Sequence, residues 1–401
     1  MIMKVLHLNT TESSGSAISA RRLSEQLIAD GIDSKMLVLD KFLESKPWII
    51  GYNEGNKSKL SKLTYIIQRN LIPSYYQLLY SPNKHFSSLY SMFDITKHPA
   101  YLEADIIHFH FIADFVDLPS FVKKNNKPIV WTIHDFNPIS GGLHLPSDIK
   151  DNTRLGNLIK KNFNKKLKAY SNVENIALVA PSEYLRNEAE KSGIFGSKPV
   201  NLIHNGLDLN KFRPYPVNIS REILNLPDNG RKKILFIADD LSLSNKGAEE
   251  FQKIYYLLGD TYDFIIAGKR SNVSGIEGDN IQNLGYIYSE ELLPILYSAV
   301  DICLLLSKYE TFSLVALESI ACSTPVFAYD SHGPKEIILN DYNGYLFQFG
   351  EVNQICEAVE EYLNNEVKHQ DFRKNCRKSA EKFDIRAIAN YYNAIYNDIY
   401  K

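Results

Sequence analysis

The run Lys4-Val-Leu-His-Leu-Asn9, then Thr10-Thr-Glu-Ser-Ser-Gly-Ser-Ala17, a helix-length segment to about Asp30 and Lys35-Met-Leu-Val-Leu-Asp40 read as strand, small-residue loop, helix and strand. A βαβ unit of this kind joins parallel strands through a crossover helix. Working outward, Ile106-Ile-His-Phe-His110, Pro128-Ile-Val-Trp-Thr-Ile-His134 and Ala177-Leu-Val-Ala180 are short apolar runs without strict alternation. Strands of that composition are covered by helices on both faces. The pattern restarts at Lys233-Ile-Leu-Phe-Ile-Ala238 and continues through Asp263-Phe-Ile-Ile-Ala-Gly268, Ile281-Gln-Asn-Leu-Gly-Tyr286, Asp301-Ile-Cys-Leu-Leu-Leu306 and Pro325-Val-Phe-Ala-Tyr329. The 401 residues exceed what one core supports,. The expectation is therefore an α/β chain of two Rossmann-like, doubly wound domains. Residues 1–212 form the first and 213–381 the second, with a last, tyrosine-rich helix at about 382–401 packing back on the first.

Composition narrows the function classes. Charged residues are 23% and apolar residues 44%, an ordinary globular balance,. The net charge of −2 conceals an asymmetry, with 25 Lys/Arg against 19 Asp/Glu through Asn205 and 20 against 28 beyond it. Cys303, Cys322, Cys356 and Cys376 show no CxxC pair, which reads as reduced thiols of a cytoplasmic protein,. No signal-peptide pattern and no apolar run of the ~20 residues that span a bilayer is read. Two basic stretches, Lys57 to Arg69 with Leu60, Leu63 and Ile67 near one helical face, and Lys160 to Lys168, suit either a solvated helix face or peripheral contact with an anionic membrane,. Aromatic Tyr75, Tyr76, Tyr80, Phe86 and Tyr90 follow the first. No nucleic-acid module accompanies the charge.

The densest chemistry lies in Ser307-Lys-Tyr-Glu310-Thr311-Phe312-Ser313-Leu314-Val315-Ala-Leu-Glu318-Ser-Ile-Ala-Cys-Ser-Thr-Pro325, a loop leaving a buried strand and entering a helix that ends before Pro325. Glu310 falls in the loop and Glu318 one to two turns inside the helix, so both carboxylates are expected to face one crevice. The amides of Ser313 and Leu314 stand at the helix start, where orphan N–H groups and the macrodipole attract phosphate. This Glu, seven residues, Glu pattern resembles the EX7E signature of the retaining GT-B glycosyltransferases of family four, with the likeness covering most of the chain and densest from about 300 to 345. The resemblance implies a GT-B architecture, two Rossmann-like domains facing a central cleft, in which Glu310 contacts the transferred sugar and Glu318 the nucleotide ribose. Thr311, Phe312, Ser313, Leu314 and Val315 then line the donor.

Other segments resemble the same family. Lys246-Gly247 matches its Lys-Gly pair on the diphosphate, but Asp239 stands near the family's usual Arg, leaving open whether Lys269 or Arg270 substitutes. Ser13-Ser-Gly15-Ser16-Ala17 resembles its Gly-Gly loop with one glycine kept; read by itself it is a helix start capped by Ser14 or Ser16. Trp131-Thr-Ile-His134-Asp135 with Ser140-Gly-Gly-Leu-His144 resembles polysaccharide-building members, which sets His134 at the reaction centre beside Lys246 and Glu310. His108 and His110 share a strand face, yet no carboxylate or Cys stands at matching spacing, so no metal site and no cofactor is expected. The implied reaction moves a sugar from a UDP- or GDP-linked donor to a glycan or lipid-linked acceptor in bacterial lipopolysaccharide, O-antigen or related synthesis. A nucleotide-sugar epimerase or hydrolase of the same fold, and a non-catalytic sugar-binding protein, stay open.

Overall fold

The computed structural model describes residues 2–41, 46–54, 59–80, 86–146, 153–273 and 276–401. The chain divides into two compact units, Met1–Gly206 with Ile385–Lys401, and Leu207–Asp384. The first division falls six residues ahead of the sequence-based boundary, because Leu207, Leu209 and Phe212 are buried in the second unit's core. Leu207 also donates its amide to the Phe383 carbonyl at 2.9 Å, which ties the second unit's two ends together.

Among the described residues the first unit has seven parallel strands, β1 Lys4–Thr11, β2 Asp33–Asp40, β3 Ile49–Gly51, β4 Ile106–Phe109, β5 Ile129–Thr132, β6 Ile176–Ala180 and β7 Val200–Leu202. They lie in the order β3-β2-β1-β4-β5-β6-β7, so the winding reverses between β1 and β4. Alternate residues feed two layers, as the pleat requires. Leu6, Leu8, Phe109 and Trp131 pack on one face, while Val5, Ile106 and Val130 pack on the other. The terminal helix Ile385–Ile399 covers that second face with Ile388, Ala389, Tyr392 and Tyr396.

Among its described residues the second unit has six parallel strands, β8 Lys233–Asp240, β9 Asp263–Lys269, β10 Ile281–Gly285, β11 Ile302–Leu305, β12 Val326–Tyr329 and β13 Gly344–Phe347, ordered β10-β9-β8-β11-β12-β13. Here the reversal lies between β8 and β11. Helix Leu314–Ala321 packs on one face of this sheet with Leu235, Cys303 and Leu305, and helix Ala248–Leu258 on the other with Phe236, Phe264 and Leu304. All four cysteines are free and buried. Burial pushes the Cys303 thiol up to about 12 and Cys356 to about 11, so both serve as packing groups rather than nucleophiles,.

Candidate functional site

In an open α/β sheet, ligands bind past the carboxyl ends of the strands where the winding reverses. In the second unit those ends belong to β8 and β11, and their loops carry Lys246 and Glu310. The two side chains meet as an ion pair, Lys246 Nζ to Glu310 Oε1 at 2.8 Å, with 22% and 18% of each exposed. The loops interlock, since Lys308 donates its amide to the Asn245 carbonyl at 2.8 Å. Gly247 is demanded twice over: its φ is +81°, and a Cβ there would lie 2.3 Å from the Leu306 carbonyl oxygen,.

Beyond Glu310 the backbone is strained. Ser313 (φ 89°) and His332 (φ 80°) are non-glycine residues at positive φ, and an isolated bridge pairs Glu310 with His332. Such strain persists only where the surroundings enforce it, and it concentrates at ligand sites. Ser313 caps helix Leu314–Ala321 by accepting from the Ala316 amide at 3.2 Å, leaving Leu314 and Val315 in the helix's first turn. Thr311 and Phe312 complete the connection, with Phe312 buried. Glu318, about one turn inside that helix, is more deeply buried than Glu310. It is 5% exposed and accepts from the Tyr297 hydroxyl at 2.9 Å, because a phenol buried this deeply requires an acceptor,. Burial, followed by the Glu318 charge, holds Tyr297 well above the usual phenol range.

The place of the family's usual arginine is a small charge cluster. Lys269, the last residue of β9, meets Asp239 at 3.0 Å and lies 4.5 Å over the Tyr286 ring. Arg270 reaches Asp240 and Ser242 and is 71% exposed. Lys269 is thus the cation held at the strand end.

The first unit presents a different chemistry at its reversal. Ser14, not Ser16, caps helix Gly15–Ala29, accepting from the Ala17 amide; Ser16 Oγ lies 2.8 Å from Ser14 Oγ. Among the described residues a Cβ on Gly15 would touch nothing within 4 Å. His7, His108 and His110 bring three imidazoles together, their nitrogens within 4.8 Å of one another. Sequence spacing showed only the last two; His7 joins them because β1 pairs with β4 in a register that sets it beside His108. His108 is held on both sides, by Tyr396 Oη at 2.7 Å and Thr132 Oγ1 at 2.8 Å. His134, just past β5, lies 3.0 Å from His110. Burial lowers the His7 pKa to about 3 and His134 to about 4, the latter partly offset by Asp135, and takes His108 and His110 well below the ordinary value. Asp135 itself binds His144 at 2.6 Å, and His144 reaches Ser87 at 2.8 Å, so the Gly-Gly-Leu-His144 segment is anchored at both ring nitrogens of His144.

Of the basic stretches, Lys160, Lys161, Lys165 and Lys168 are exposed but Lys166 is buried, hydrogen-bonded to the Asn137 carbonyl. Leu63, Ile66, Leu71, Tyr75 and Leu78 are exposed along helical segment 59–80. Lys57 lies outside the described residues, as do the side chains of Leu60 and Tyr80. Among the described residues no helix is long and apolar enough to cross a membrane.

A model of the family described as glycosyltransferase family 4 matches residues 13–211, and one described as glycosyl transferases group 1 matches residues 225–382. The chain belongs to glycosyltransferase family 4. Both of its reversals, with the Lys246–Glu310 pair and the histidine cluster, fall inside or immediately beside those matched spans. This family 4 member is 26% identical over 226 residues to the N,N'-diacetylbacillosaminyl-diphospho-undecaprenol alpha-1,3-N-acetylgalactosaminyltransferase of Campylobacter jejuni, a match covering 55% of the chain and 58% of that enzyme. It spans less than two thirds of the length of such curated relatives. In structure it is similar to sucrose-phosphate synthase from Thermosynechococcus elongatus (TM-score 0.72, 19% identity, 99% of each chain). It is also similar to Anabaena HepE in complex with UDP-glucose (TM-score 0.68, 16% identity, 99% of this chain and all of that one). The fold is GT-B, with one doubly wound half in each unit.

Proposed function

We propose that this family 4 member is a retaining, metal-independent glycosyltransferase whose second unit binds a UDP- or GDP-linked sugar and whose first unit serves a glycan or lipid-linked glycan acceptor. The observation that carries the reading is the Lys246–Glu310 ion pair at the reversal between β8 and β11. Within this pair each group neutralises the other. A sugar diphosphate would separate them, its phosphates taking Lys246 and the first-turn amides of Leu314 and Val315, its sugar hydroxyls donating to Glu310. Glu318 is assigned the ribose, Lys269 the second phosphate cation, and Gly15 and Ser16 a close approach of backbone to the donor. Lys246 and the helix start supply fixed positive charge where negative charge grows on the leaving diphosphate, so no metal is assigned a role.

For the chemistry we infer front-face displacement. The acceptor oxygen bonds to the anomeric carbon as the bond from that carbon to the phosphate oxygen breaks, and the departing phosphate takes the acceptor's proton. The configuration is thereby retained without a protein nucleophile. The UDP-glucose named for HepE and the undecaprenol-linked substrate named for the Campylobacter relative support a nucleotide-sugar donor and a lipid-linked acceptor in bacterial surface-glycan synthesis. The exposed apolar residues of segment 59–80, near Lys62, support peripheral contact with the inner face of the cell membrane,.

The test incubates the full chain with UDP- and GDP-sugars, with and without undecaprenyl-diphosphate glycans, in the presence of a chelator. Acceptor-dependent product with the donor's anomeric configuration is expected. Free or epimerised sugar without acceptor would replace this reading by the hydrolase or epimerase one. Binding without turnover for every acceptor would leave a sugar-nucleotide-binding protein.

A further inference from the structure

His7 in β1 and His110 and His134, just past β4 and β5, form a line of imidazoles in which the reaction assigned above leaves His7 and His110 without a role. His7 Nδ1 lies 2.9 Å from His110 Nε2, and His110 Nδ1 lies 3.0 Å from His134 Nε2. His7 is fully buried and His110 is 2% exposed. A nitrogen-to-nitrogen contact of this length is a hydrogen bond only when one partner carries the proton and the other is bare, and a neutral imidazole has one N–H to offer. Two continuous arrangements exist. With donation running from His134 to His110 to His7, the His7 proton must sit on Nε2, a buried atom with no hydrogen-bond partner among the described residues. Running the other way leaves that atom as a bare lone pair. An orphaned buried donor gives up its hydrogen bond to water without replacement, and orphan N–H groups are rarer than under-used acceptors.

We propose that His7 and His110 are positioning residues: a hydrogen-bond relay running from His7 through His110 to His134 that fixes the proton of His134 on Nδ1. His134 then meets a substrate oxygen as a neutral N–H donor and not as a base. The inference rests on the assignment of His134 to the reaction centre. The same cluster makes a poor cation site. Both His110 nitrogens belong to the relay, both His108 nitrogens are held by Tyr396 and Thr132, and among the described residues no carboxylate joins the three rings to offset a dication,.

Imidazole nitrogen shifts of the full chain labelled with 15N-histidine test the relay directly, with His7→Gln, His110→Gln and His134→Gln spectra giving the assignments. At neutral pH the proton is expected on Nδ1 of all three rings. A proton on His7 Nε2, or a cationic ring at any of the three, overturns the relay; stoichiometric zinc surviving chelation overturns it in favour of a metal site. The kinetic arm compares His110→Phe, which breaks both contacts, with His110→Gln, which can still accept and donate. His110→Phe is expected to lower kcat on the order of tenfold with donor KM unchanged, and His110→Gln to recover most of that loss. Equal losses in both, in folded protein, overturn the positioning role. Should the chain transfer no sugar at all, the nitrogen shifts still decide the relay, so failure of the transferase reading is separately visible.

Discussion

The two units share one winding scheme and resolve the polarity of its reversal in opposite ways. The second compensates charge: Lys246 faces Glu310 and Lys269 faces Asp239, each pair partly open to solvent. The first relies on neutral histidines in β1 and at the ends of β4 and β5, with His108 held by Thr132 and Tyr396 and Thr132 in turn by Tyr392. Partly solvated ion pairs exchange partners cheaply, as a site for an anionic ligand must. Buried neutral rings in hydrogen bonds keep one arrangement, as suits a group whose orientation matters more than its charge. The same topology therefore provides an exchangeable electrostatic site and a rigid directional one.

The largest effect expected from breaking this contrast is in turnover. Lys246→Ala should lower kcat/KM on the order of a hundredfold, while chemical denaturation shifts by less than about 1 kcal/mol, since half-open pairs contribute little to stability. A variant with normal steady-state kinetics would remove the charge-compensating unit from the donor site.

Next in size is Gly247→Ala, which forces a Cβ against the Leu306 carbonyl at φ +81°. A loss of about 3 kcal/mol is expected from urea unfolding followed by circular dichroism, with turnover falling as Lys246 is displaced. Unaltered stability would show that the two loops are not locked.

The neutral unit gives the third prediction. His7 and His134 titrate near 3 and 4 when folded against 6.5 in a free chain. The unfolded state therefore binds more protons as pH falls from 6.5 towards these values, and stability must drop over that window, by about 1 kcal/mol per pH unit for each ring. Both tryptophans, Trp48 and Trp131, lie in the first unit, so their fluorescence follows its unfolding alone. A urea midpoint flat between pH 6.5 and 4.5 would contradict the neutral-histidine account.

Smallest is Gly15→Ala. With nothing near the added methyl, stability should hold or rise by up to about 1 kcal/mol,. A few-fold rise in donor KM is expected if backbone and ligand approach closely there, and an unchanged KM would release Gly15 from the donor site.

Much of this was legible in the chain. Non-alternating apolar runs separated by helix-length segments declared two parallel sheets, because strands buried on both faces need no polar side. Glu310, Lys246 and Gly247 were visible because loop chemistry is local: a glycine, a cation and an acid at fixed offsets from a strand end. His134 could be singled out by its place at the end of β5, but nothing in spacing joined it to His7. Sequence also read Lys166 as part of a cationic face, whereas one turn of the helix aims it inward at Asn137.

The sequence by itself determined the alternation of strand and helix, the two-part division and the loops that bear charge, since these follow from periodicity and from residues within a few positions of each other. Tertiary structure alone decided that Glu318 answers a buried Tyr297, that Lys246 rests on Glu310, and that three histidines drawn from β1 and β4 adjoin a fourth beyond β5 and the tyrosines of the terminal helix. Those pairings depend on strand register and on the order of strands in the sheet. Both are set by packing among residues up to several hundred positions apart, a quantity no local pattern encodes.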